Sequence, residues 1–222
     1  MANNRVNWKK LFLELMVVFL GVSGSFFINN WRDSKNNIEL EQRYINSFVQ
    51  NIDSNIVFLK NDIGVDTVAL STLKNKMNIL EKGDVHSDSL MSIIQIVLYV
   101  SKLDLQKSTF DDIKYSGNLN IIRDYNIKEK IISYYNLVDG AIYIDGYYNN
   151  YFSDMILPYM MNNFSFSEGV FFNKDPQNQR KVFNYVAGYY SMRMQRTEVL
   201  KEMLNKSELL KKELVKYMNT NF

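Results

Sequence analysis

The acidic side chains are the groups in this sequence best suited to chemistry. Asp111, Asp112, Asp139, Asp145 and Asp154 could pair for general acid–base work, where one carboxyl holds a proton that another accepts. None of them stands in a recognised catalytic motif. Asp111 and Asp112 project in different directions on a helix, and after Ser108-Thr109 they meet the positive end of its dipole. Asp145 lies on an apolar line with Ile142 and Phe152. It reads either as a buried acid paired with Arg123 or Arg193, or as an acid exposed by a helix break at the neighbouring glycines. Tyr143, Tyr147 and Tyr151 recur at four-residue steps, with Tyr148 and Phe152 beside them. Such a stripe either lines a ligand pocket together with Asp145 or packs as core with its hydroxyls at the rim.

Other chemistries are excluded by composition. There is no cysteine, and His86 is the single histidine, which removes disulfide scaffolds, thiol catalysis, cysteine-ligated zinc, iron–sulfur clusters and any site needing two imidazoles. No P-loop, G-x-G-x-x-G or G-x-S-x-G occurs. The expectation is a non-enzyme with no cofactor and no metal. The net charge is +2, but Arg5, Lys9 and Lys10 place three positive charges in the first ten residues, leaving 23 basic against 24 acidic residues in the rest. That body offers no basic stripe for phosphates, and lysines 201–216 alternate with Glu202, Glu208 and Glu213 as on a solvated helix face. Nucleic acid is therefore not an expected partner.

The elements that must position these residues begin with an apolar run. Leu11 to Ile28 reads LFLELMVVFLGVSGSFFI, with Glu14 its only charge, close to the roughly 20 residues that cross a bilayer as a helix. Trp8 and Trp31 are the only tryptophans; the helix between them spans about 35 Å, the separation of two interfacial anchors. The reading is a basic cytoplasmic tail over 1–10, a transmembrane helix over 11–31 and an all-α helical bundle over 32–222. The lipid bilayer is then its first partner. Basic residues precede the span, whereas Arg32 and Lys35 are mixed with acids. The positive-inside bias thus gives a single-pass protein of the cytoplasmic membrane, N-terminus in and body extracytoplasmic. An uncleaved anchor is favoured over a signal peptide cut after Gly24, because Phe26, Phe27, Ile28 and Trp31 continue the apolar character. Glu14, Val18, Gly21, Ser25 and Ile28 share one helical stripe, suited to self-association or to a partner helix; equally, Glu14 lies near the interface and can pair with Lys10.

Beyond Trp31, Ile38, Ile45, Phe48, Val49, Ile52, Ile56, Leu59 and Ile63 recur at three- and four-residue steps, predicting an amphipathic bundle helix that could continue the anchor. Glu41 and Asn55 interrupt the partner heptad line and disfavour a two-stranded coiled coil. A second helix is expected over 67–82, capped by Gly83, and a buried helix over 89–103 that is too short to span. A short helix follows over 108–115, ended by the Ser116-Gly117-Asn118 turn. A tyrosine-rich helix is expected over 126–161, with a break open at Gly140 or Gly146, then a loop over 162–174. Asp175-Pro176 begins a last helix to about Met218.

The opening resembles a family of small bacterial single-pass membrane proteins of unknown function, whose apolar helix starts near a glutamate and ends in an Asn-Asn-Trp box. The matching residues are Glu14, Gly21, Asn29, Asn30 and Trp31, followed by the helix around Tyr44 to Leu59. Ser116, Gly117, Leu119, Ile122, Arg123, Tyr134 and Tyr135 look like that family's later block. Ser23, Gly24 and Ser25 depart from its more aliphatic anchor. The resemblance implies membrane location and a helical body, and carries no activity or catalytic residue.

The functional expectation is a membrane-anchored interaction or scaffold protein that forms a homo-oligomer or recruits a membrane-protein partner. The alternative is an extracytoplasmic sensor whose ligand pocket is lined by Tyr143, Tyr147, Tyr151 and Asp145.

Overall fold

A computed structural model describes residues 8–81, 87–173 and 175–222. They are predominantly helical, as an all-α reading requires. Helix α1 (Trp8–Glu81) is followed by α2 (Ser87–Leu98), α3 (Ser108–Tyr115), α4 (Tyr125–Tyr151), α5 (Leu157–Asn163) and α6 (Pro176–Asn221). Gly83 and His86 lie outside the described residues.

α1 is the spine. Its 74 residues make a rod about 110 Å long, and the segments read as two bundle helices are one. Glu41, Ile45, Phe48, Ile52, Asn55, Leu59, Asp62, Asp66, Ala69 and Leu73 are all buried and alternate at steps of four and three, so one face continues past Gly64 and Thr67 without a break. α6 repeats the pattern from Val182 to Tyr217 and α4 from Ile127 to Tyr148. Glu41 meets Tyr217 and Asp66 meets Arg193, which sets α6 antiparallel to α1. α4 runs parallel to α1, since Asn55 meets Tyr134 and Asp62 shares Arg196 with Asp145.

Two departures have local causes. The helix expected to reach residue 103 ends at Leu98, and residues 99–107 cross the bundle without regular secondary structure, with Leu103 and Leu105 buried. In α4 both Gly140 and Gly146 are passed without a break. The irregularity comes instead at Phe152–Ile156, a π-turn before α5, because Pro158 has no N–H to give the Asp154 carbonyl and the ladder must shift register. The loop over 162–174 contains a two-residue hairpin, Phe164–Ser165 (β1) with Val170–Phe171 (β2). Asp175 caps α6 by accepting from Asn178 N–H, with Pro176 in the first turn.

The N-terminal, apolar end of α1 stands clear of the bundle. Phe12, Leu13, Val17, Val18, Phe19, Val22, Phe26 and Ile28 are exposed, and this is the one helix among the described residues long and apolar enough to cross a membrane.

Candidate functional site

The bundle core holds ionised side chains, and each has a structural reason. Asp62 and Asp66 stand one turn apart on the buried face of α1, Asp145 on that of α4, and Arg193, Arg196 and Thr197 on that of α6. Arg196 donates from Nε to Asp145 (2.6 Å) and through its two terminal nitrogens to Asp66 (2.8 Å) and Asp62 (2.6 Å). Arg193 donates from Nε to Asp66 (2.9 Å) and from a terminal nitrogen to the Tyr189 hydroxyl (2.7 Å). Both guanidinium side chains are only 2 % exposed. Burial opposes the charge of Arg196, but Asp145, Asp66 and Asp62 outweigh it and raise its pKa. Burial also pushes the hydroxyls of Tyr148 and Tyr189 above the ordinary tyrosine range.

The same polar groups satisfy the chain that crosses the bundle. A buried backbone N–H needs an acceptor, and the irregular segment 99–107 has neither a helix nor a strand ladder to supply one. Asp145 accepts from Leu103 N–H (3.0 Å), and Asp62 accepts from the Ser101 hydroxyl (2.7 Å). Asn55 accepts from Gln106 N–H (2.6 Å) and donates to the Gln106 carbonyl (3.0 Å), with Tyr134 and Ser207 completing that layer. Nearer the apolar end, Glu41 accepts from Arg123 backbone N–H (2.8 Å), Arg123 Nε (2.6 Å) and the Tyr217 hydroxyl (2.7 Å). Glu41, Asn55 and Asp62 fall at heptad-related positions of α1, so three polar layers clamp the 99–123 connection to the bundle.

Asp145 is thus buried, with Arg196 as its partner; Arg123 and Arg193 are engaged by Glu41 and Asp66. The tyrosines do not gather around it. Tyr143 and Tyr147 are 73 % and 63 % exposed, and the Tyr151 hydroxyl lies where a Cβ on Gly188 would stand, packing α4 against α6. The other acids have surface partners: Asp139 and Asp111 share Lys107, Asp112 accepts from Tyr44, and Asp154 accepts from Ser153. On the exposed part of α1, Lys10 stands 4.0 Å from Glu14 and the Ser25 hydroxyl donates to the Gly21 carbonyl. Trp8 and Trp31 flank this stretch, both exposed. Among the described residues no group of His, Asp or Glu is arranged to hold a metal.

Asp62, Asp66, Arg196 and Thr197 are the ionic-layer residues that no sequence motif marks. Their signal is the interruption of an apolar three-four pattern by ionisable residues on α1 and α6 at once. Next to the layer, α1 and α2 enclose a largely apolar groove of about 880 Å³, lined by Val65, Val68, Thr72, Gln95 and Tyr99, with Arg193 among its lining residues. Compared with protein-family models, curated proteins and solved structures, the chain matches none.

Proposed function

We propose that this protein is a single-pass, membrane-anchored helical scaffold of the bacterial cytoplasmic membrane, acting by binding rather than by catalysis. The carrying observation is the continuity of α1: one helix supplies both the exposed apolar segment and the buried face of the bundle. Only ten residues, about 15 Å of helix, separate Trp31 from the first fully buried core residue, Glu41. A rotation or a lateral association of the anchor is therefore carried into the body without a flexible joint. The open stripe through Glu14, Gly21 and Ser25 suits a second copy or a partner helix, and the charge before the span favours an extracytoplasmic body.

A sensor is the second reading, and the groove between α1 and α2 favours it. Its volume falls within the range of small-molecule sites, and Arg193 links it to the ionic layer. In this reading the pocket lies on α1 and α2, away from Tyr143 and Tyr147.

The absence of native cysteine makes the test direct. Ser167→Cys, in the exposed hairpin, is expected to react with a membrane-impermeant maleimide in right-side-out inner-membrane vesicles. Reaction only after lysis would overturn the orientation and place the body in the cytoplasm. Release of the protein by carbonate washing would overturn the anchor itself.

A further inference from the structure

A cleft of about 530 Å³, lined mostly by residues with polar side chains together with Ile38 and Ile121, lies at the end of the bundle nearest Trp31. Asn30, Asp33 and Asn37 of α1 form one wall, and Asn118, Asn120 and Arg123 belong to the other. Its place on α1 fixes its depth. Asn30 adjoins Trp31, so the cleft starts at the level of the interfacial tryptophan and reaches about 12 Å outward along the helix to Ile38. The headgroup layer of one leaflet is about 5–8 Å thick, and the cleft overlaps it.

The lining carries both signs of charge. Arg123 is tied to Glu41 through Nε and its backbone N–H, while its side chain stays half exposed. Asp33 places a carboxylate on the opposite wall. Asn118 follows Gly117, whose φ of +75° is a left-handed conformation that favours glycine and turns the chain back toward α1. A guanidinium and a side-chain amide suit phosphate oxygens, and an exposed carboxylate suits an ammonium. The same end exposes Tyr115 (81 %) and Tyr125 (66 %), with Lys114 and Lys128 over their rings at 5.8 and 5.7 Å. Aromatic rings with snorkelling cations are the side chains favoured at headgroup level.

We propose that this cleft binds the headgroup of a zwitterionic phospholipid, with the phosphate on Arg123 and Asn118 and the ammonium on Asp33. The inference rests on α1 spanning the bilayer, and its consequence is that the body is docked onto the membrane surface rather than held clear of it.

Native mass spectrometry of the delipidated full-length protein in mild detergent tests this, with phosphatidylethanolamine, phosphatidylglycerol and soluble glycerophosphoethanolamine as probes. The wild type is expected to retain one phosphatidylethanolamine per chain, about tenfold more tightly than phosphatidylglycerol, a difference one charge-assisted contact can supply. Asp33→Lys, at an exposed position that leaves the core intact, is expected to reverse the preference toward the anionic lipid, and Asn118→Ala to weaken both. Equal retention of the two lipids by the wild type, or an unchanged preference in Asp33→Lys, would overturn the site. Binding of glycerophosphoethanolamine as tightly as the lipid would overturn the lipid source. Flotation of each variant with carbonate-washed vesicles separates the premises: a protein that floats without lipid preference loses only the cleft, and one that does not float loses the anchor.

Discussion

Glu41 and Asp66 lie on the same buried face of α1 and are equally shut off from solvent, at 0 % and 1 % exposure, yet their cations differ. The partner of Glu41 is Arg123, whose side chain is half exposed and comes from the connection ahead of α4. The partners of Asp66 are Arg193 and Arg196, both fully buried on α6. A buried carboxylate with a solvated cation can rearrange at modest cost, because water still serves the guanidinium. A buried carboxylate with a buried cation cannot, because any slip leaves both ions unpaired in a medium that solvates neither. The distal layer therefore fixes the register of α6 against α1: a one-heptad slip would bring Tyr189 or Met203 to the level of Arg196 and leave three carboxylates without it. The Glu41 layer instead joins the bundle to the 118–123 connection at the end nearest the exposed apolar stretch of α1, where a solvated cation leaves room for adjustment.

The sharpest way to break this contrast is Arg196→Met in the full chain. It removes the one residue that touches Asp62, Asp66 and Asp145, and leaves Arg193 to serve the layer. Loss of one member of a buried charge group costs about 3–5 kcal/mol, and the expected result is a large fall in the denaturant midpoint measured in mild detergent. Adding Asp145→Asn is expected to recover part of that loss, because the layer then carries one fewer unpaired carboxylate; the double-mutant cycle measures the coupling. If Arg196→Met were no more harmful than Arg123→Met, the two layers would be energetically alike and the distal one would not set the register.

How much of this the sequence carried depends on the kind of interaction. The apolar side of α1 over residues 38–63 could be read from periodicity, and Asp175-Pro176 marked the start of α6 because capping is local chemistry. The apolar run at 11–28 was equally plain. The continuity of α1 across Gly64 was harder, since a glycine is a weak break that tertiary packing overrides. The break left open at Gly140 or Gly146 falls instead at the π-turn before Pro158: a glycine leaves the helical ladder intact, whereas Pro158 removes a donor. Asp145 could be suspected of burial from its apolar neighbours, but its partner depends on the relative rotation of α4 and α6, which only packing determines. The end of α2 at Leu98 was hidden for a related reason. Residues 99–103 continue the apolar character of α2, and what holds the segment out of the helix is a set of acceptors on α1 and α4, remote in sequence.

That clamp suggests a middle-sized effect between the two charged layers. Asn55→Ala removes both hydrogen bonds to Gln106 and one to Tyr134, leaving a backbone N–H and C=O without their partner. About 1–3 kcal/mol of stability is expected to be lost, less than at Arg196 because no ion is stranded. Amide hydrogen exchange gives the more specific readout. Exchange at Gln106 and its neighbours should accelerate while the amides of α6 stay protected. Uniform acceleration across all helices would mean that Asn55 supports the whole core rather than the crossing segment.

The smallest effect is expected at the Glu41 layer, and its pH dependence makes it separable from the others. The hydroxyl of Tyr217 is buried and donates to Glu41; burial, then that bond and the nearby carboxylate charge, push its pKa from the ordinary value near 10 up to about 12, with Arg123 opposing. Between those two values the unfolded chain has already released the proton that the folded chain retains. Stability from this group is therefore fully present below pH 10 and is lost as the pH rises toward 12. Tyr217→Phe is expected to cost about 1.5 kcal/mol at neutral pH, the lower end for a hydrogen bond to a charged acceptor, since Glu41 keeps its two bonds from Arg123. It should also flatten the alkaline fall in the unfolding midpoint between pH 10 and 12. The same fall with and without the Tyr217 hydroxyl would assign the alkaline sensitivity to the more deeply buried tyrosines, Tyr135, Tyr148 and Tyr189, and thus to the other parts of the core. A flattened profile would show that the Glu41 layer is the one that yields first as protons are withdrawn.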